Sequence, residues 1–270
     1  MNFKNSWRIL KKDWQSSIRS KEILLPMALL PVVFTILTPI LMLIGIIMAP
    51  GEVASEFGDI EEIARLLEIP DTYNEVLVAA TFMIKLFILP IFLFIPALIP
   101  SIIASDSFAG EKERKTMESL VLLPISKSEL ILGKVLTALL PSLAITFSCF
   151  GLLGLVVNLM LLPYLEGHLL IFTDASFMLA IFVLAPLYSF LSNLLGIIIS
   201  SRVKDLKSAQ SISGSVVLPV LGLLFVQIFN PAFLSPLMIG ILSLVMGGLC
   251  VIFINVANKV LDVEKLVLMT

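Results

Sequence analysis

Six runs of apolar residues, 24–48, 82–104, 135–161, 176–200, 211–229 and 235–256, divide this chain, and the stretches between them hold most of its charges. Each run is apolar on every face, without the alternation of a barrel strand. A hydrocarbon core of about 30 Å takes roughly 20 such residues per helix, and only helices or closed barrels satisfy their backbone there. The pattern predicts an all-α integral membrane protein with six transmembrane helices in a single domain, 1–270. Composition agrees: 59% of residues are hydrophobic and 14% charged, with a mean hydropathy of +1.08, outside the usage of soluble domains.

The polar segments carry local order of their own. Over 1–22, Phe3, Trp7, Leu10, Trp14 and Ile18 recur at spacings of three and four, while Lys4, Arg8, Lys11, Lys12 and Arg19 fall elsewhere. This predicts an amphipathic helix in the membrane interface, with a basic leader that only enforces topology as the plainer alternative. In the 49–81 loop, Ile60, Ile63, Ala64 and Leu67 predict a short helix, and Thr72-Tyr73-Asn74-Glu75 reads as a capping box that starts the second helix. In the 105–134 loop, Gly110 allows a sharp change of direction. The run from Glu111 to Leu123 can form a short helix across the bundle, with Glu111 and Lys115 paired four residues apart. Ser126-Lys127-Ser128-Glu129, with Ile125 and Leu130 placed for a hydrophobic staple, caps the start of the third helix. Pro26, Pro31 and Pro39 punctuate the first span and Pro90, Pro96 and Pro100 the second, which predicts kinks. Around Pro219, Pro231 and Pro236 two readings stay open: a re-entrant element over 217–236, or a plain helix, a turn at Asn230-Pro231 and a sixth helix.

Charge placement sets the expected orientation, because short loops rich in Lys and Arg stay in the cytoplasm. The N-terminal segment, the 105–134 loop with Lys112, Arg114, Lys115, Lys127 and Lys134, the loop with Arg202, Lys204 and Lys207, and the C-terminal Lys259 and Lys265 are basic. The 49–81 loop opposes one Arg to eight acids, and 162–175 has no Lys or Arg. Both termini are therefore expected in the cytoplasm of a multi-pass cell-membrane protein, and the net charge of −2 averages a basic inside against an acidic outside. The first span is too long for a signal h-region and is expected to be retained.

Candidate chemistry is sparse. Cys149 and Cys250 fall inside spans and read as small apolar residues. His168 has Glu166 nearby but no second fixed ligand, so it is assigned no metal or catalytic role. Gly133-Lys134 lacks the upstream glycine and following Ser or Thr of a phosphate loop, so this chain is not expected to hydrolyse nucleotide or bind a cofactor. Lys85, near the outer end of the second span, is expected to snorkel. Asn158, Asn193, Gln227 and Asn255 read as glue between helices. Spans this poor in ionisable groups argue against an ion-coupled secondary transporter, and a structural protein whose basic loop binds anionic lipid is a further alternative.

Phe108-Ala109-Gly110-Glu111-Lys112-Glu113-Arg114-Lys115-Thr116-Met117-Glu118-Ser119-Leu120, followed by Leu123-Pro124-Ile125-Ser126-Lys127-Ser128-Glu129-Leu130 and Gly133-Lys134, closely resembles the signature of ABC-2 type transporter permeases. The resemblance implies a permease that pairs with a second, identical or different, permease and engages separate ATP-binding cassette subunits, where ATP and magnesium are bound. It implies a cytoplasmic coupling helix between the second and third spans. Carried onto this chain, that helix offers Glu111, Glu113, Arg114, Lys115 and Glu118 for polar contacts with the ATPase subunit, Phe108 and Met117 as packing anchors and Gly110 as the bend. The helix bearing Phe3, Trp7, Leu10 and Trp14 is expected to support the same interface. Export of an amphipathic, lipid-linked or drug-like molecule is the expected activity, with a sodium-export branch of the family as the alternative.

Overall fold

The computed structural model describes residues 7–14, 21–49, 65, 67, 69–70, 72–116, 126–165, 167 and 169–260, and no strand occurs among them. A short helix, α1 (7–14), precedes six long ones: α2 (21–48), α3 (Glu75–Glu113), α4 (Lys127–Met160), α5 (Ala175–Arg202), α6 (Leu206–Phe229) and α7 (Pro236–Val260). Each of the six is long and apolar enough to cross a membrane. Of the helix expected over Ile60–Leu67 only Arg65, which is helical, and Leu67, in a turn, are described, and the staple at Ile125 lies outside the described residues.

Caps set several of these boundaries. Ser126 accepts the Glu129 N–H while the Glu129 carboxylate accepts the Ser126 N–H, so the expected capping box starts α4. At α3 the cap is Asn74 rather than Thr72: its side chain accepts the Leu77 N–H at 2.9 Å and donates to the Tyr164 carbonyl at 3.3 Å. Helix α6 runs without a break from Leu206 to Phe229, through one 3-10 turn at Gly214–Val217, and a turn at 231–234 leads into α7. The plain-helix reading of 217–236 is therefore the observed one.

The prolines act through wide turns. Val33–Leu37, Ile84–Ile88 and Ala180–Leu184 are π turns, and in each the second residue beyond the turn is a proline: Pro39, Pro90 and Pro186. A proline donates no N–H, and its ring collides with the carbonyl four residues back. Here the N–H of the preceding residue, Thr38, Leu89 or Ala185, reaches the carbonyl five residues back, which widens the turn and takes up the misfit.

Helices α3 and α5 form the centre, with 72% and 61% of their most apolar stretch buried within the chain against 33% or less in the other four. Small residues bring them together. A Cβ at Gly196 would lie 2.7 Å from the Ala104 Cβ and 3.3 Å from the Ser101 carbonyl oxygen, the close backbone approach that small residues permit between membrane helices. The Ser192 hydroxyl donates to the Ala97 carbonyl across the same seam. Gly196→Ala is expected to push the two helices apart at a cost of about 1–3 kcal/mol, read as a loss of thermal stability of the purified chain; an unchanged melting temperature would show that the seam is loose.

The amides divide by role. Asn193 donates to the Val135 carbonyl at 2.7 Å and ties α5 to α4. Asn158 instead holds the loop after α4, exchanging hydrogen bonds with the Leu170 N–H and carbonyl, while Gln227 does both, holding the 231–234 turn and donating to the Lys85 carbonyl of α3 at 3.4 Å. Asn255 is exposed. The Lys85 ammonium meets the Asp174 carboxylate at 2.7 Å, joining α3 to the N-terminus of α5.

Candidate functional site

The end of α3 opposite Glu75 carries the charged segment, and its last two turns depart from a regular helix. Asp106–Gly110 is a fourth π turn, and no proline follows it. Its cause is a side chain from α5. The Ser200 hydroxyl accepts the N–H groups of Phe108 and Ala109 at 2.9 and 2.8 Å and donates to the Ser105 carbonyl at 2.7 Å. A hydroxyl inserted in this way displaces the helix's own acceptors, and such bulges recur at functional sites.

Gly110 is not the bend. Its backbone is helical, at φ −65° and ψ −34°, and its missing side chain serves a close approach. A Cβ there would fall 1.8 Å from Asp106 Oδ1 and 2.9 Å from Arg114 Nη2. The Asp106 carboxylate crosses the bare glycine to meet the Arg114 guanidinium in a two-pronged contact of 3.0 and 3.2 Å, the strong geometry for this pair.

The change of direction comes at Lys115, whose φ is +54°. The Thr116 N–H donates to the Glu111 carbonyl at 2.9 Å and the Lys115 N–H to the Lys112 carbonyl at 3.1 Å. These two bonds make a Schellman ending, with lysine where glycine is usual. The helix expected from Glu111 to Leu123 is thus broken: Glu111–Glu113 are the final residues of α3, and Lys115 has left the helix on which it was expected to pair with Glu111. Met117 and Glu118 lie outside the described residues.

Two neighbouring side chains grip the turn between α5 and α6 from opposite sides. The Lys112 ammonium donates to the carbonyls of Ser201 and Val203 at 2.7 and 3.1 Å, at the C-terminus of α5. The Glu113 carboxylate accepts the Leu206 N–H at 3.0 Å, at the N-terminus of α6. Each charge meets the helix end whose dipole favours it. Asp205 completes the cap by accepting the Ser208 N–H at 2.8 Å, and that bond lowers its pKa.

Glu111 turns inward instead. It is buried, and one carboxylate oxygen meets Lys12 of α1 at 2.9 Å and Lys134 of α4 at 3.6 Å. Lys134, fully buried, also lies 3.5 Å from Asp13 and 4.6 Å from the centre of the Phe108 ring, and donates to the Ser107 carbonyl. Burial pulls the Lys12 pKa down, but the hydrogen bond and field of Glu111, with Asp13, outweigh it and leave the pKa raised. Among these groups lies a cavity of about 250 Å³. The cations Lys12, Arg114 and Lys134 offset the anions Asp13, Asp106 and Glu111, as a partly dry site requires.

The structure therefore divides the predicted coupling residues. Phe108, Gly110 and Glu111 are buried and build the support, while Glu113, Arg114, Lys115 and Thr116 are exposed. Of the interfacial helix, residues 7–14 are helical: Trp7 is half exposed, Leu10 is partly covered and Trp14 packs against the core. Phe3 lies outside the described residues. Sequence reasoning missed Asp13, Lys112, Lys134 and Ser200 as parts of the site. Lys134 carried a signal, being a lone charge at the head of an apolar run; Ser200 carried none.

A model of the family described as ABC-2 family transporter protein matches residues 7–242. A search of curated proteins finds no match. The match takes in α1, the gripped end of α3, the first five spans and the first two turns of α7, so the chain belongs to the ABC-2 transporter family and is the multi-pass membrane permease component of an ABC transporter, the partner of an ATP-binding subunit.

Proposed function

We propose that this permease pairs with a second permease subunit and exports an amphipathic, lipid-linked or drug-like molecule, driven by two separate ATPase subunits that dock on the exposed residues 113–116. ATP and magnesium act on those subunits and not on this chain. The basic segments, both termini included, face the cytoplasm, following the positive-inside rule. The observation that carries this reading is the rigid fixing of the docking segment. Lys112 and Glu113 tie it to the α5–α6 turn, Glu111 to α1 and α4, and Ser200 to α5. A push on 113–116 is therefore delivered to α3 and α5, the central pair, rather than lost in a loose loop. Chain and ATPase then work as a lever and its driver.

Lys115 supplies the cleanest test, because its side chain is exposed and no hydrogen bond or ion pair of the described residues depends on its ammonium. Lys115→Glu is expected to reduce co-purification of the ATPase subunit at least tenfold. Lys115→Gly removes the charge while suiting the positive φ, so it is expected to weaken association with thermal stability unchanged or higher. Full association in both variants would remove 113–116 from the docking surface. Efflux from vesicles holding both subunits, with sodium compared against an amphipathic dye, separates drug-like export from the sodium-export alternative.

A further inference from the structure

At the end of the bundle opposite the docking segment, a cavity of about 610 Å³ opens between the start of α3, the start of α5 and the 231–236 turn. Its volume lies within the range of small-molecule sites, about 300–1,000 Å³. Apolar side chains, Ile69, Ile84, Phe177 and Leu234 among them, make up about half of the wall, and the Lys85–Asp174 pair, Thr81, Thr173 and Gln227 line the rest with polar groups. The Thr81 hydroxyl is buried without a hydrogen-bond partner among the described residues. Asp174 holds the pair in place: one oxygen caps α5 by accepting the Phe177 N–H at 3.1 Å, and the other meets Lys85 at 2.7 Å.

We propose that this cavity binds a zwitterionic amphipathic ligand, its anionic group on Lys85, its cationic group on Asp174 and a polar atom on Thr81. The pair itself selects the ligand's charge. A singly charged ligand would take one member and leave the other, more than three-quarters buried, without its ion partner, which is unfavourable. A zwitterion exchanges partners with both and leaves no charge unpaired. The apolar wall then receives the hydrocarbon part. Tyr73, at the rim, stays a neutral phenol, because burial first and the Asp174 carboxylate second raise its pKa. A phospholipid headgroup and a soluble zwitterion share this chemistry.

The test uses the purified full chain in detergent without any ATPase subunit, so its failure would leave the coupling reading standing. Affinities of lysophosphatidylethanolamine, lysophosphatidylglycerol and chain-free glycerophosphoethanolamine are compared by native mass spectrometry. The zwitterionic lysolipid is expected to bind at least tenfold tighter than the anionic one, and Lys85→Met with Asp174→Asn to abolish the difference; asparagine keeps the cap on α5. Glycerophosphoethanolamine binding as tightly as the lysolipid assigns a soluble ligand, and its failure to bind assigns a lipid. Thr81→Val removes a group that makes no internal bond, so it is expected to leave melting unchanged and weaken binding about threefold or more. Equal affinity for the two lysolipids overturns the proposal, as does unchanged affinity in the double variant or, should that variant not fold, in Thr81→Val.

Discussion

Lys134→Met is expected to destabilise the chain by about 3–5 kcal/mol, the usual cost of removing one partner from a buried charge cluster. Methionine matches the length and apolar stem of lysine, so packing against Phe108 is largely kept and the loss is electrostatic. The ammonium lies 3.6 Å from Glu111 and 3.5 Å from Asp13 with no solvent exposure of its side chain. Without it the site carries one negative charge too many, and the Ser107 carbonyl loses its donor. Adding Glu111→Gln restores neutrality, so the double variant is expected to recover at least half of the loss. Reversible unfolding of the purified chain in mixed micelles measures all three variants. Additive single losses would mean that Lys134 and Glu111 do not act as a unit.

Ser200→Ala is expected to cost about 2–6 kcal/mol, because one hydroxyl serves three buried groups and its loss leaves two N–H donors without an acceptor, each worth about 1–3 kcal/mol. The helix has one escape, which is to rewind Asp106–Gly110 as a regular α turn. That removes the extra residue of the bulge and rotates everything after it by about 100°. Lys112 and Glu113 would then leave the α5–α6 turn, and Arg114 would leave Asp106. The variant is therefore expected either to lose stability or to lose association with the ATPase, while Ser200→Thr, which keeps the hydroxyl, retains more of both. Hydrogen exchange over 105–113 distinguishes an opened turn from a rewound one. A change under about 0.5 kcal/mol with association intact would show that the serine only fills space.

Much of the fold was legible along the chain. The six spans follow from apolar length, and the start of α4 from Ser126 and Glu129, which lie three residues apart and need nothing else. Asn74 rather than Thr72 caps the start of α3, and its amide also reaches the Tyr164 carbonyl, in the loop after α4 and 90 residues on. The charged segment was located by its charge density and by the resemblance of its residues, but its shape was misread. Gly110 suggests a bend only while Asp106 and Arg114 are considered apart; once they pair, the glycine is the floor beneath them. Lys85 was read as reaching for water because Asp174, far along the chain, had not been brought beside it.

Helix length, caps and charge asymmetry are local or additive properties, so residue order alone determines six membrane helices, the cap that starts α4 and the position of the charged segment between the second and third spans. Which charges meet is not additive. Lys12 and Glu111 are 99 residues apart, and Ser200 is 92 from the N–H of Phe108. At such separations only packing of α1, α3, α4 and α5 selects the partner, because a buried charge or amide must be satisfied by whatever the tertiary fold places within about 3 Å. The tertiary structure alone therefore decided that Phe108, Gly110 and Glu111 face inward while Glu113, Arg114 and Lys115 stay exposed, and that the turn comes at Lys115.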